Sequence, residues 1–477
     1  MSAAENKAEY LWRGAANSGR MLAATVIAGM VLVGGSPAAN AQAQGPREQA
    51  VARPGGELLI PQNAPVRRGQ GQRVSVTDGE NWVVGLLHVE VGDRRIVILP
   101  DGRLRSLPTS EAPTTEDRFK PATKAEIVAQ LESEGLKGFK SRSTARFVYV
   151  YNTSEAFTKG TSRILETMYP AILAYFKRLQ IPVDHPEMPL VAVMFKTEEE
   201  FRKYEDVPEG IAAYYNSVTN RIVMYEQSDL VEIAPELAMK QSIGTIAHEG
   251  IHQILHNIGV QQRLSRWPMW LSEGLAEYFA PTSVDQRMRW KGVGMPHDLR
   301  MYELGKFLKA NPGGPGEVVE KVVAAGQLNS SGYAAAWALT HYLAERQKEK
   351  FQRYLREVAS LGPLEPGERA ATQHTAALVK HFGDDFAKLQ SALVDHLQAL
   401  PYVDPIANQT HYVVLLDTTS MRTAGVTTSP SGAHEFQEKV LAKLPPNVRA
   451  SSRFQIMPFA NRQLAEQYAD RFLGRGN

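Results

Sequence analysis

Ser242–Gly259 reads SIGTIAHEGIHQILHNIG, and the function of the chain turns on this stretch. Ile243, Ile246, Ala247, Ile251, Ile254, Leu255 and Ile258 recur at helical spacing, and Gly259 stands where a helix would stop. One apolar helix is therefore expected. Within it His248-Glu249-Gly250-Ile251-His252 has the form H-E-x-x-H. Residues four apart on a helix stand one turn above each other on the same face, so the two imidazoles can reach one zinc ion at ~2.0–2.1 Å each. Glu249 leaves the helix at another angle. It is placed to act on water as a general base and not as a third ligand.

A catalytic zinc needs one further protein donor and one open position. His256 lies two turns beyond His248, roughly 12 Å along the axis, so the three histidines of this stripe cannot share one ion. The extended pattern H-E-x-x-H-x-x-G-x-x-H fails, because Leu255 and Ile258 occupy its last Gly and His positions. The remaining candidate is Glu273 in PMWLSEGLAEYFA, with 20 residues between it and His252. That length suffices for a loop and a second helix running back past the first. Trp270 and Leu271 can pack this helix, and Gly274 permits close approach. Glu277, one turn after Glu273, can accept the free ring N–H of a ligand histidine and fix its tautomer.

H-E-x-x-H followed after about 20 residues by W-L-x-E-G-x-A resembles the gluzincin metallopeptidases. Within them, HEGIHQILHN, PMWLSEGLAEYF and YAAAWALTHYL are most similar to the secreted bacterial peptidase-MA-like group, often listed as a domain of unknown function. The similarity covers about residues 145–400. It implies a zincin-like α+β domain, one Zn²⁺ per chain held by His248, His252 and Glu273, and Glu249 as the base. It also implies an oxyanion donor downstream of the ligands. Tyr333, which opens an apolar helix, is the choice, with His341 as the alternative. The stretch Ile211–Tyr225 (IAAYYNSVTNRIVMY) reads as a hairpin turning at Val218–Asn220. Its Tyr214 and Tyr215 would present an edge strand to an extended peptide substrate.

Outward from this centre the chain divides into segments. Basic residues up to Arg20, an apolar run Leu22–Gly35 and the A-x-A sites at Ala39–Ala43 predict a signal peptide over residues 1–43. The run reaches only ~21 Å as a helix, short of a ~30 Å hydrocarbon core, so no stable membrane insertion is expected after cleavage. Residues 44–80, rich in Gly, Pro, Gln and Arg, read as a flexible leader. Residues 81–120 read as a small β module and linker with turns at Gly92-Asp93 and Asp101-Gly102. Residues 121–400 form the expected metallopeptidase domain, a small mixed sheet followed by a helical half, and residues 401–477 a C-terminal α/β extension. There, Asp417-Thr418-Thr419-Ser420 reads as a turn and not as a metal loop.

The composition narrows the chemistry. There are no cysteines, which excludes disulfides, cysteine metal sites and thiol catalysis. Lys plus Arg is 53 against 51 for Asp plus Glu, a net of +2, which rules out a bulk basic footprint for nucleic acid and leaves room only for a local patch. The expected function is an exported zinc peptidase acting on peptides or proteins, weakly favouring endopeptidase action. Two other readings stand beside it: a non-catalytic envelope protein scaffolded by zinc, and an amidase of cell-wall peptide.

Overall fold

The computed structural model describes residues 58–474 except 62, 209–210, 228–234, 285–287, 366–369, 419–421, 429 and 451. The expected signal peptide and residues 44–57 lie outside the described residues, as do Thr419 and Ser420. The chain is α+β, with its larger sheets in the N-terminal half followed by a helical half.

The first sheet starts earlier than the sequence reading placed it. β1 (Val66–Arg68) and β2 (Arg73–Asp78) both pair with β3 (Asn81–Val91), and β4 (Arg94–Ile98) and β5 (Leu104–Pro108) complete an antiparallel sheet. Residues 58–80 therefore belong to the β module and not to a leader. RVSVTD alternates apolar and polar residues and buries Val74 and Val76. Its Gly- and Gln-rich flanks hide that short period in the sequence. The Gly92-Asp93 turn is as expected: Val91 pairs with Arg94 and Gly92 takes φ +59°, a left-handed conformation glycine adopts without steric cost.

The second sheet is mixed. β6 (Lys140–Ser143), β7 (Phe147–Tyr151), β8 (Leu190–Thr197), β9 (Ala213–Asn216) and β10 (Arg221–Gln227) lie in the order β6-β7-β8-β10-β9. β7, β8 and β10 run parallel, and β6 and β9 are antiparallel edges. Strand alternation splits the side chains between two cores. Phe147, Tyr149 and Tyr151 face the larger one; Val148 and Val150 face the smaller. The smaller core is closed by α1 (Lys124–Leu131), which starts on a Thr123–Glu126 capping box, and by α3 (Glu198–Tyr204). Between them in sequence, α2 (Glu155–Arg178) covers the other face together with α4 (Pro235–Asn257).

The helical half continues with α5 (Met269–Phe279), the ribbon β11 (Thr282–Val284) and β12 (Met288–Trp290), then α6 (Asp298–Ala310), α7 (Glu317–Ala324), α8 (Ser330–Arg346), α9 (Lys348–Ala359), α10 (Ala370–Phe382) and α11 (Phe386–Gln398). The tail is a three-stranded antiparallel sheet of β13 (His411–Asp417), β14 (Arg422–Thr427) and β15 (Arg453–Phe459). It carries α12 (Pro430–Ala442), the short α13 (Pro446–Ala450) and α14 (Arg462–Phe472).

Two glycines set how closely the central helices approach. A Cβ on Gly250 would stand 2.2 Å from Leu165 of α2. On Gly274 it would stand 2.2 Å from Thr340 Oγ1 and 2.6 Å from the Ala336 carbonyl oxygen of α8. The close approach at Gly274 is thus to α8, beyond the helix the sequence reading had in view. Because one of these neighbours is backbone, Gly274→Ala must part the two helices. Overpacking costs about 1–3 kcal/mol, against the ~1 kcal/mol that Ala gains over Gly in a helix. A net loss of stability is expected, read as a lower denaturation midpoint; an unchanged or raised midpoint would show that α5 and α8 have slack here.

Candidate metal centre

α4 is anchored by polar side chains as well as by its apolar stripe. The Gln253 amide donates to the carbonyls of Val191 (3.0 Å) and Asn220 (2.8 Å), which fixes the helix on the sheet. One turn earlier, His248 and His252 point at Glu273 of α5. Nε2 of His248 is 3.0 Å from Glu273 Oε2, Nε2 of His252 is 3.4 Å from it, and the two Nε2 atoms are 3.1 Å apart. Four donors at 2.0–2.1 Å around a tetrahedral ion lie about 3.3 Å from one another, so these three atoms already have the spacing of three such vertices. The set can hold a metal ion.

The electrostatics also suit a cation. His248 is 2% exposed and Glu249, His252 and Glu273 are fully buried. Burial disfavours a charged His248 ring, but its hydrogen bonds to the Glu273 and Glu277 carboxylates outweigh it and push its pKa up to about 10. Burial likewise works against an ionised Glu273, yet His252 and His248 bring it down to about 2. Glu273 is thus held ionised, and its Oε1 is buried with no hydrogen-bond partner, which leaves donor capacity for an ion.

Glu249 is close to these groups but is not one of the three converging ligands. Its Oε2 accepts the Tyr215 backbone N–H at 2.7 Å, and its Oε1 is buried without a partner. Burial, followed by the opposing influence of the nearby histidines, leaves its pKa raised. That N–H belongs to β9, the edge of the sheet, and is turned away from β10. The hairpin forms as expected, but the side chains of Tyr214 and Tyr215 do not reach the site. Neighbouring residues on a strand point to opposite faces: Tyr214 enters the smaller core, with its hydroxyl on the Glu205 carboxylate, and Tyr215 enters the larger, donating to Asn220 at 2.9 Å. Only the backbone of this strand faces the centre. His256 lies outside it, as its spacing requires. It stacks on Tyr215, its Nδ1 is 2.8 Å from the Gln261 carbonyl oxygen, and burial lowers its pKa to about 3.

Behind the histidines, Glu277 Oε1 lies 3.1 Å from His248 Nδ1, where it can fix the tautomer that leaves Nε2 free for metal. Two residues that sequence reasoning missed complete this layer. Arg300 donates to Glu277 at 2.6 Å, and His297 Nε2 is 3.2 Å from it. Both sit at the start of α6 with no spacing motif to mark them; only the fold brings them in. The Arg300 guanidinium lies 5.5 Å from the centre of the Tyr333 ring, which itself is 6.1 Å from the His248 ring. Burial, then the charges of Glu273, Glu249 and Glu277, raise the Tyr333 pKa, so its hydroxyl stays protonated. His341 is elsewhere: Nδ1 meets His396 at 2.9 Å and Nε2 meets the Gly294 carbonyl oxygen at 3.1 Å. It is two turns further along α8, committed to packing, and is set aside as a proton donor.

Residues 242–365 match the family described as Protein of unknown function (DUF1570). The matched segment runs from the H-E-x-x-H motif through α9 and so contains all three candidate ligands, Glu249, Glu277, Arg300 and Tyr333. No curated protein matches the chain. Among the described residues no helix is long and apolar enough to cross a membrane.

Proposed function

We propose that the protein is an exported zinc-dependent peptidase of gluzincin type, with endopeptidase action favoured. The observation that carries this reading is the convergence of His248, His252 and Glu273 beside a second carboxylate, Glu249, that is no part of the ligand set. When bound, the ion supplies Lewis acidity, which polarises a carbonyl and makes water acidic near neutral pH. Glu249, steadied through Oε2 by the β9 backbone, takes a proton at Oε1 and passes it to the leaving amine. Tyr333 donates its hydroxyl hydrogen to the oxyanion.

The burial of the centre favours a second reading, a zinc that only scaffolds the two helices. Glu249 argues against it. A scaffold has no use for a buried carboxylate with an unpartnered oxygen, and burying one costs stability. The test is metal analysis of the purified protein together with hydrolysis of an unfolded, casein-like protein and of peptidoglycan. One zinc per chain is expected, with cleavage of the unfolded protein lost to a chelator and restored by zinc. Bound zinc with neither substrate cut would favour the scaffold, and cleavage of peptidoglycan alone would favour the amidase.

A further inference from the structure

The β module reaches the metal centre through the loop that joins its two ligand helices. That loop runs from residue 258 to 268, between α4 with His248 and His252 and α5 with Glu273. Its Arg263 is 4% exposed. The guanidinium donates to the carbonyl of Gly102, in the β4–β5 turn, at 2.6 Å, and to the carbonyl of Ser217, in the β9–β10 turn, at 3.3 Å. Among the described residues it forms no ion pair with a carboxylate. The β module holds the same residue from a second side: His88 Nε2 of β3 is 2.7 Å from the Arg263 carbonyl oxygen. A third link bypasses the loop, since the Leu104 N–H of β5 donates to the Val218 carbonyl at 2.7 Å.

The backbone of the loop is strained where it docks. Leu264 takes φ +64° and Leu364 φ +63°, left-handed values unfavourable for a bulky side chain. The Leu364 N–H donates to the Leu264 carbonyl at 2.7 Å, and both side chains pack onto the cluster of Val89, Ile96, Leu104 and Val218. Strain of this kind persists only where surrounding contacts over-determine it. Here most of those contacts come from the β module, with Val218 of the β9–β10 turn beside them.

We propose that the β module is a built-in clamp for the metal centre and that Arg263 is its positioning residue. It ties the α4–α5 loop to the turn of the edge strand whose Tyr215 N–H holds Glu249. The clamp fixes the base relative to the ligands from outside the centre, through side chains that touch neither metal nor substrate. Burying a guanidinium with carbonyls as its hydrogen-bond acceptors is costly, and those two bonds together with the nearby Asp101 charge offset part of the cost. The inference deepens the peptidase reading and rests on it for the importance of the geometry, but its first readout needs neither metal nor turnover.

The experiment compares the full-length chain with Arg263→Met, Arg263→Lys, His88→Ala and His88→Gln by amide hydrogen exchange, and then by zinc affinity. Losing the charge-assisted bonds of Arg263 lowers a local opening free energy enough to speed exchange about tenfold or more, and losing the neutral bond of His88 speeds it by about 2- to 10-fold. Arg263→Met and His88→Ala are expected to do so at residues 211–217 and 258–268 while residues 351–358 of α9 keep the wild-type rate, and to weaken zinc binding. Arg263→Lys and His88→Gln, which keep a donor, are expected to restore most of the protection. Wild-type exchange at both segments in folded Arg263→Met and His88→Ala would overturn the clamp. So would equal acceleration everywhere, which is the signature of global destabilisation. If Arg263→Met does not fold, His88→Ala decides on the same criterion. A wild-type protein that cuts no substrate would count against the peptidase reading and leave these exchange outcomes separately readable.

Discussion

Glu249→Gln is expected to lower hydrolysis by ~10²–10⁴-fold while zinc stays at one per chain. Metal and base are separable here because Glu249 is adjacent in sequence to a ligand yet bonded to another part of the fold. Its Oε2 is on the Tyr215 N–H, and the ligand atoms of His248, His252 and Glu273 meet without it. A glutamine side chain has nearly the same shape, and its carbonyl oxygen can accept the same N–H. It cannot take a proton. Folding should change little, since the substitution removes a buried charge whose pKa burial already raises. Tyr333→Phe is expected to lower hydrolysis by less, because it removes one donor and leaves the base in place. Initial rates on an unfolded protein, with metal analysis of each sample, check both. A Glu249→Gln protein that holds zinc and cuts at the wild-type rate would sink the proposed mechanism.

How much of this centre the sequence discloses follows from how local each contact is. His248 and His252 are one turn apart on one helix, and Glu273 and Glu277 one turn apart on the next, so periodicity alone aligns each pair. The span between the helices limits the third ligand to few candidates. Arg300 and His297 obey no such rule: they reach Glu277 because α6 packs on α8 and α8 packs on α5, and tertiary packing leaves no period in the chain. The hairpin at residues 211–225 was legible from its apolar runs and turn. The roles given to Tyr214 and Tyr215 were not sound, because adjacent strand residues cannot both face one site; the strand offers its backbone instead. β2 was lost for the opposite reason, a real period of two too short to stand out among glycines and glutamines. The part played by Gly274 was half legible. The absence of a Cβ signals close approach, but only the fold shows that α8 is the partner.

Glu273→Ala is expected to abolish zinc binding or weaken it by more than ~10²-fold. Changing a residue that merely supports a ligand costs 10–100-fold, and among the described residues Glu273 is itself the only carboxylate within reach of both Nε2 atoms. Its loss leaves two neutral donors, where a buried zinc would lack both a ligand and most of the compensating charge. The matched control is His256→Ala, on the same helix and equally part of the histidine stripe. That ring stacks on Tyr215 and bonds to the Gln261 carbonyl, so its removal is expected to cost stability, about 1–3 kcal/mol from the lost hydrogen bond and contacts, and to leave the metal in place. Competition against a chromophoric chelator gives the affinities. Thermal melts with and without zinc give an independent reading, because a ligand that binds only the folded state raises its stability in proportion to the logarithm of its concentration over Kd. Wild type and His256→Ala should melt higher with zinc, and Glu273→Ala should not respond. If His256→Ala loses the metal and Glu273→Ala keeps it, the ligand assignment is wrong, and with it the placing of Glu249 as the base.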